Sequence, residues 1–347
     1  MIKDTISRLI EKKNLGFLEA KELFDNILSL SLTPAQMAAV LVLLKVKGET
    51  EEEIFAAATV IREKAIKLNV RNNFLGIEDR DEQVIDTCGT GGSGLNKFNI
   101  STAVAFIVSG AGVSVAKHGN RAMSSNCGSA DVLEALGIKI EAKPEVMQEA
   151  IRKVGIGFLY APLYHPALAK VAQVRRELGV RTIFNILGPL SNPAFADYQL
   201  LGTYSRDLAK TLASVLKKLG LKRAFVVYSK DIKDEISLSG PTDVFFLNNK
   251  RVSNFVLRPS SFGLKKIAIK DIMAKDIKTS VNMVRDVLRG KKSPMRDIAL
   301  ANASACFYIL GKVKDLRQGV KLAAEVIDTK KAENKLLELK SFLDQNA

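Results

Sequence analysis

The 347-residue chain has no tryptophan, two histidines and three cysteines, and each scarcity removes a class of function. Cys88, Cys127 and Cys306 are odd in number and far apart. They build neither a disulfide framework nor a zinc ligand set, and they suit a reducing compartment. With aromatic residues at 6% and no tryptophan, no basic run is interleaved with the rings that stack nucleic-acid bases. No apolar stretch approaches the roughly 20 residues of a membrane-spanning helix. The start, Met1-Ile2-Lys3-Asp4-Thr5, carries a lysine with no apolar segment behind it. No signal peptide is therefore expected, and the expected location is the cytoplasm. Acidic residues are in deficit, 37 against 52 Lys and Arg, for a formal net charge of +15. That excess admits a nucleic-acid surface, an acidic substrate or a basic solvated exterior. The cations are spread along the chain in small clusters such as Arg289-Gly290-Lys291-Lys292, which favours the solvated exterior.

What is present is an ordinary globular composition, 47% hydrophobic and 26% charged, in a chain long enough for one large domain or two. The first seventy residues read as helical. Thr33-Pro34 opens one helix, with proline tolerated in the first turn, and Thr50 with Glu53 in "GETEEEIFAAATVIREKAI" forms a capping box before another. From about Asp81 the texture changes. Short apolar strands ("QVIDT", "VSVAK", "RAFVVYS", "DVFFLNN") alternate with glycine turns and amphipathic helices, which predicts an α/β fold with a largely parallel central sheet. There is no internal repeat and no long linker.

The segment "VIDTCGTGGSGLNKFNIST", Val84 to Thr102, places four glycines between a strand and a helix start. Gly89, Gly91 and Gly94 satisfy G-x-G-x-x-G, and Gly89 with Gly94 has the glycine spacing of a P-loop. Neither assignment survives its context. Leu95-Asn96 stand where a P-loop needs Lys-Ser/Thr. The second strand, "GVSVAKHGNR", ends in Lys117, His118 and Arg121, where a dinucleotide site needs an acid for the ribose. Successive backbone N–H groups from Gly89 to Gly94 remain, followed by Asn99, Ser101 and Thr102 at a helix start that favours phosphate. A second donor-rich segment, "KHGNRAMSSNCGSAD", brings Lys117, Asn120, Arg121, Ser124, Ser125 and Ser129 from the neighbouring strand end. The alternative is that these are turn and cap residues, with Ser129 and Asp131 capping "ADVLEALG". Gly92 or Ser101 alone fits both readings equally; the two segments together favour a ligand with more than one phosphate group.

In "HPALAKVAQVRRELG" a helical wheel puts Leu168, Val171, Ala172 and Leu178 on one face together with Arg175, while Lys170, Arg176 and Glu177 point elsewhere. An arginine on an apolar stripe needs an anionic partner, either a structural acid or a bound carboxylate. His118 and His165 read as hydrogen-bonded structural residues, not as catalytic bases. Asp234-Glu235, in a loop after "RAFVVYSK", would suit magnesium if a pyrophosphate lay beside them. Cys88 and Cys127 read as small packed residues.

The blocks "GTGG…NIST", "KHGNR…SS…GSAD", "HPA…VRRELG.RTIFN.LGPL.NP" and "DEIS..GPT", in order from Asp86 to Thr242, resemble the anthranilate phosphoribosyltransferase family. The resemblance implies transfer of the phosphoribosyl group of phosphoribosyl pyrophosphate to the amine of anthranilate, a step of tryptophan biosynthesis, with Mg2+ as cofactor. It implies a nucleoside-phosphorylase-like fold: a small all-helical domain (1–72, with 165–190 packing on it) and a large α/β domain (73–164 and 191–347), with a cleft between them. It also implies a homodimer joined through the helical domain, and no membrane or nucleic-acid partner.

Carried over by position, phosphoribosyl pyrophosphate would be held by Gly89, Gly92, Ser93, Lys97, Asn99, Ile100, Ser101, Thr102, Lys117, His118, Gly119, Asn120, Arg121, Ala122, Met123, Ser124, Ser125 and Ser129. Anthranilate would meet Gly89, Asn120 and Arg175, with His118, His165 and Gly188 lining the same region. The metal positions are Ser101, Asp234 and Glu235. Two residues depart from the pattern. Ser93 replaces the usual Asp of "GTGGDG", which bears on how many metal ions bind, and Lys97 replaces Thr, where a direct charge contact with the pyrophosphate is expected instead. Two alternatives are a pyrimidine nucleoside phosphorylase of the same fold, whose motifs "KHGNR" and "VRRELG" do not resemble, and a relative without transferase activity that binds nucleic acid.

Overall fold

The computed structural model describes residues 2–71, 82–122 and 127–347, with the backbone of 73–74 and 77–78. Helices α1 (Ile2–Ile10), α2 (Phe17–Leu28), α3 (Pro34–Lys47) and α4 (Glu51–Lys64) form the first unit. Two reciprocal caps start α3 and α4. Thr33 Oγ1 accepts from Gln36 N while Gln36 Oε1 accepts from Thr33 N, and Thr50 with Glu53 does the same. Each such cap typically contributes about 1 kcal/mol. The Glu53 carboxylate, fully buried, also accepts from Leu15 N at 3.0 Å and Lys47 Nζ at 2.9 Å, so it ties the α1–α2 connection to α4. Among the described residues no helix is long and apolar enough to cross a membrane.

Strands β1 (Asn73–Phe74) and β2 (Ile77–Glu78) pair antiparallel as a separate ribbon. The main sheet contains β3 (Val84–Gly89), β4 (Ser114–Gly119), β5 (Ile156–Tyr160), β6 (Tyr198–Gly202), β7 (Arg223–Ser229), β8 (Thr242–Asn248) and β9 (Arg251–Leu257). Their order is β5-β4-β3-β6-β7-β8-β9, parallel from β5 to β7 and antiparallel across β7-β8-β9. Helices α5 (Ile100–Gly110), α6 (Ser129–Ala135) and α7 (Pro144–Val154) make the first crossovers. The chain runs from β3 outward through β4 and β5, then returns to β6 on the other side of β3. In open α/β sheets the crevice at such a reversal, beyond the carboxyl ends of the strands, is where ligands bind. Here Gly89 and Gly202 face each other at that point.

Apolar side chains collect in two cores. One joins a face of the sheet to α5, α7 and the C-terminal helices between Ile277 and Asn346. The other joins α1–α4 to Val171, Val174, Ile183, Phe184, Ile186, Leu187 and Leu190, and continues into helix Arg206–Lys218 and the opposite face of the sheet. The segment 171–190 thus packs in the helical core, yet it also borders the crevice.

The continuous helix expected over 166–178 is two short ones, Pro166–Ala169 and Ala172–Leu178, with a break at Val171. Val171 and Val174 fill the core, and Leu168, Ala172 and Leu178 are only half-buried. Gly179, at φ 61°, ends the second piece.

Candidate active site

The glycine loop leaves β3 with Thr90 N donating to Gly202 O at 2.9 Å. Gly91, Gly92 and Gly94 then take φ of 65°, 79° and 68°, a conformation in which L side chains are strained. The loop delivers the chain to α5, capped by Asn99, whose Oδ1 accepts from Thr102 N at 3.1 Å. Thr87 Oγ1 donates to Ser101 O at 3.1 Å, which holds this helix end against β3. Thr102 is buried behind the first turn.

Lys117, a candidate phosphate contact, lines the cleft and also bonds within the protein. Its side chain is buried, and Nζ donates to Thr87 O at 2.6 Å and to Ser101 Oγ at 3.0 Å. Burial lowers its pKa, and nearby Asp86 partly restores it. Asp86, buried in turn and raised by that burial, accepts from His118 N at 3.2 Å and Gln199 Nε2 at 3.4 Å. These buried groups lock β3, β4, β6 and α5 together under the crevice.

In the second loop Asn120 is exposed, and its Oδ1 accepts from Arg121 N. Arg121 is clamped by Glu134 at 2.7 and 3.0 Å and by Asp131 at 3.3 Å, with its guanidinium over the Tyr160 ring. Gly128, not Ser129, is the cap of α6. Asp131 Oδ2 accepts from both Gly128 N and Ala122 N at 2.9 Å, and a Cβ at Gly128 would come within 2.4 Å of Ala122 N. Met123, Ser124 and Ser125 lie outside the described residues.

The opposite wall comes from 161–191. His165 Nε2 lies 3.2 Å from His118 Nε2, and His118 Nδ1 lies 3.1 Å from Gly188 O. Burial depresses both rings, His118 to about 3 and His165 to about 4. Arg175 is half-buried with its guanidinium 5.4 Å from the Phe184 ring centroid, and among the described residues no acid pairs with it.

The loop carrying Asp234 and Glu235 crosses the ends of β3 and β6. A Cβ at Gly202 would lie 1.8 Å from Asp234 O, so only glycine admits this approach. Burial raises Glu235 to about 7, although Lys97 pulls it down. The Lys97 ammonium expected at a pyrophosphate is held by Asp234 Oδ1 at 2.5 Å and Ile232 O at 2.8 Å.

These features enclose one cleft of about 330 Å³. Apart from Thr102 and the three undescribed residues, every candidate site residue named from the sequence lines it. Phe184, Asn185, Tyr204 and above all Arg181, the first residue of the "RTIFN" block, line it as well without being marked in the sequence. Arg181 stacks 5.0 Å from the Tyr204 ring centroid, and a Cβ at Gly92 would come within 2.1 Å of its Nη2.

Comparison with known proteins follows the same lines. Residues 3–65 match the family model described as "Glycosyl transferase family, helical bundle domain", and residues 81–333 match "Glycosyl transferase family, a/b domain". An anthranilate phosphoribosyltransferase of Geobacter sp. (strain M21) is 47% identical over 350 residues, covering 99% of each chain. The chain belongs to the anthranilate phosphoribosyltransferase family. Among solved members of the family, the Thermus thermophilus protein superimposes with a TM-score of 0.90 at 38% identity, over 98% of this chain and 99% of that one. The Saccharomyces cerevisiae protein in complex with PRPP and Mg does so with a TM-score of 0.89 at 25% identity, over 99% and 98%. The helical and α/β architecture, with its mostly parallel seven-stranded sheet, is that of this family.

Proposed function

We propose that the protein transfers the phosphoribosyl group of 5-phosphoribosyl 1-pyrophosphate to the amine of anthranilate, releasing pyrophosphate and forming N-(5-phosphoribosyl)anthranilate in tryptophan biosynthesis. One observation carries this reading. A single cleft sets a glycine loop and helix N-terminus, suited to phosphate, opposite Arg175, an unpaired half-buried guanidinium suited to a carboxylate. The names of the relatives support this transferase and neither the phosphorylase nor the nucleic-acid alternative.

The loop from Gly89 to Ser93, Asn99 to Thr102, and the Asn120–Ala122 turn receive the donor. Arg181 adds a second cation at Gly92. Arg175 takes the acceptor carboxylate beside Gly188 and the neutral histidine pair, and this aims the amine across the cleft at the anomeric carbon. The bond to pyrophosphate breaks through an oxocarbenium-like transition state, so positioning and electrostatic stabilisation of the leaving group dominate catalysis. Lys117 and Asp86 act from below by fixing the strand ends.

The acids fit a metal that shares its ligands with substrate. Asp234 and Glu235 offer carboxylates at the cleft, and among the described residues no group of three or more His, Cys, Asp or Glu would hold an ion unaided. Magnesium characteristically takes one or two carboxylates together with substrate phosphates. When bound here it would neutralise charge growing on the leaving pyrophosphate. The test of the function is loss of anthranilate fluorescence with phosphoribosyl pyrophosphate and magnesium. No loss at saturating substrates overturns the reading.

The protein is a cytoplasmic homodimer in this reading. Leu18, Val46 and Ile10, exposed by 77%, 67% and 63% on α2, α3 and α1, support an apolar contact through the helical unit. Sedimentation of Leu18→Glu against the unmodified protein tests the dimer.

A further inference from the structure

We propose that the Lys97 ammonium is a built-in counter-cation that replaces one divalent ion at Asp234. The inference rests on the reading of Asp234 and Glu235 as the metal-binding acids. Lys97 Nζ sits 2.5 Å from Asp234 Oδ1 and 2.8 Å from Ile232 O, and the two side chains are only 8% and 14% exposed. A buried ion pair of this kind is geometrically committed, because moving either partner strands the other without water.

Both partners are fixed by backbone. Lys97 forms an isolated bridge with Met273, flanked by Phe98 N donating to Ile272 O at 3.0 Å and Ala274 N donating to Asn96 O at 2.7 Å. Asp234 is wedged over Gly202, where an added Cβ would meet its carbonyl at 1.8 Å, and its Oδ2 lies against Gly89. The two backbones are thus held where the ammonium meets the carboxylate.

An ammonium and a magnesium ion compete for the same partners, since both are compact, strongly hydrated cations that seek oxygen. A carboxylate oxygen and a backbone carbonyl are the ligands a hard metal would use here, and the ammonium holds both. The charge balance points the same way. Asp234 and Glu235 together bring two negative charges when ionised, and Lys97 neutralises one. The charge that remains, on Glu235, is available to a divalent ion shared with pyrophosphate oxygens, whereas Asp234 has no unpaired charge to hold another.

The test counts ions directly. Mn2+ bound per protomer is measured by the electron paramagnetic resonance of free Mn2+ at saturating pyrophosphate, corrected with a protein-free control. The proteins are the unmodified chain, Lys97→Met and Lys97→Gln. Both variants should bind one more Mn2+ than the unmodified chain, and Mg2+ should raise their Tm more. Asp234→Asn combined with Lys97→Gln should lose the extra ion that Lys97→Gln alone gains. An equal, non-zero count in all proteins overturns the role of Lys97 and leaves the metal site standing. A count of zero throughout overturns the metal reading, and this inference with it. Lys97→Gln is one bond shorter than lysine but keeps a neutral N–H donor, so the count is obtained even where Lys97→Met fails to fold.

Discussion

His118 and His165 face each other Nε2 to Nε2 at 3.2 Å in the floor of the cleft, and one proton sits between them. His118 Nδ1 is within 3.1 Å of Gly188 O, so it carries its proton there. Its Nε2 is then the acceptor, and His165 donates. Both rings are neutral over the ordinary pH range, because burial holds His118 near 3 and His165 near 4 against a usual 6.5. A histidine depressed by folding contributes stability that is complete above about 6.5 and is lost as pH falls toward its folded value. Stability should therefore fall as pH drops from 6.5 toward 4, with both rings contributing. His165→Gln keeps a donor toward His118 and should flatten that decline by about half. Urea unfolding at pH 7.0, 5.5 and 4.5 gives the slope, and an unchanged slope would show that the rings are not held neutral.

Lys117 has a structural role beside its place in the cleft lining. Its ammonium ties Thr87 O to Ser101 Oγ, and the side chain is buried. Hydrogen bonds from a charged group typically contribute about 1.5–3 kcal/mol, so Lys117→Met should lower stability by about that amount. Donor and acceptor KM should change together in the folded fraction. A selective loss of donor affinity at unchanged Tm would return Lys117 to the phosphate.

Gly91 and Gly92 separate backbone strain from contact. Both have positive φ, and an alanine at either costs about 1–2 kcal/mol for that conformation. Nothing lies within 4 Å of a Cβ at Gly91, whereas one at Gly92 displaces the Arg181 guanidinium. Gly91→Ala and Gly92→Ala should lose similar Tm, and only Gly92→Ala should raise the donor KM, by about tenfold if one charge-assisted contact is lost. Equal KM values would show that Arg181 does not contact the donor.

Much of this was readable from residues. The caps at Thr33 and Thr50, the four β-strands quoted from the sequence and the left-handed glycines follow from local chemistry, which one sequence carries in full. Arg181 was not readable. Its neighbours Gly92 and Tyr204 are distant in sequence, and nothing in "GVRTIFN" marks a guanidinium that stacks on a loop about ninety residues earlier. The protein partners of Lys97 and Lys117 were hidden for a related reason. A lysine in a phosphate-loop motif reads as a phosphate ligand, and nothing local shows that it also bonds Asp234 or Thr87 O. The broken helix at Val171 was missed because a wheel assumes continuous geometry, and core packing overrode it.

Arg175 decides whether the cleft takes a carboxylate acceptor. It sits half-buried over Phe184 with no acidic partner among the described residues, and burial lowers its pKa. A guanidinium left unpaired in such a place is costly unless a ligand completes it. Arg176, next along the same short helix, is exposed and serves as the control. A charge-assisted pair typically contributes about 1.5–3 kcal/mol, or roughly ten- to a hundred-fold in affinity. Arg175→Ala should raise the anthranilate KM by about that factor and leave donor binding nearly unchanged, while Arg176→Ala does little. Removing an unpaired buried charge should also leave Tm equal or higher, because no salt bridge is broken. A fall in Tm with normal anthranilate kinetics in the folded fraction would instead make Arg175 a packing residue on Phe184, and the acceptor carboxylate would need another cation.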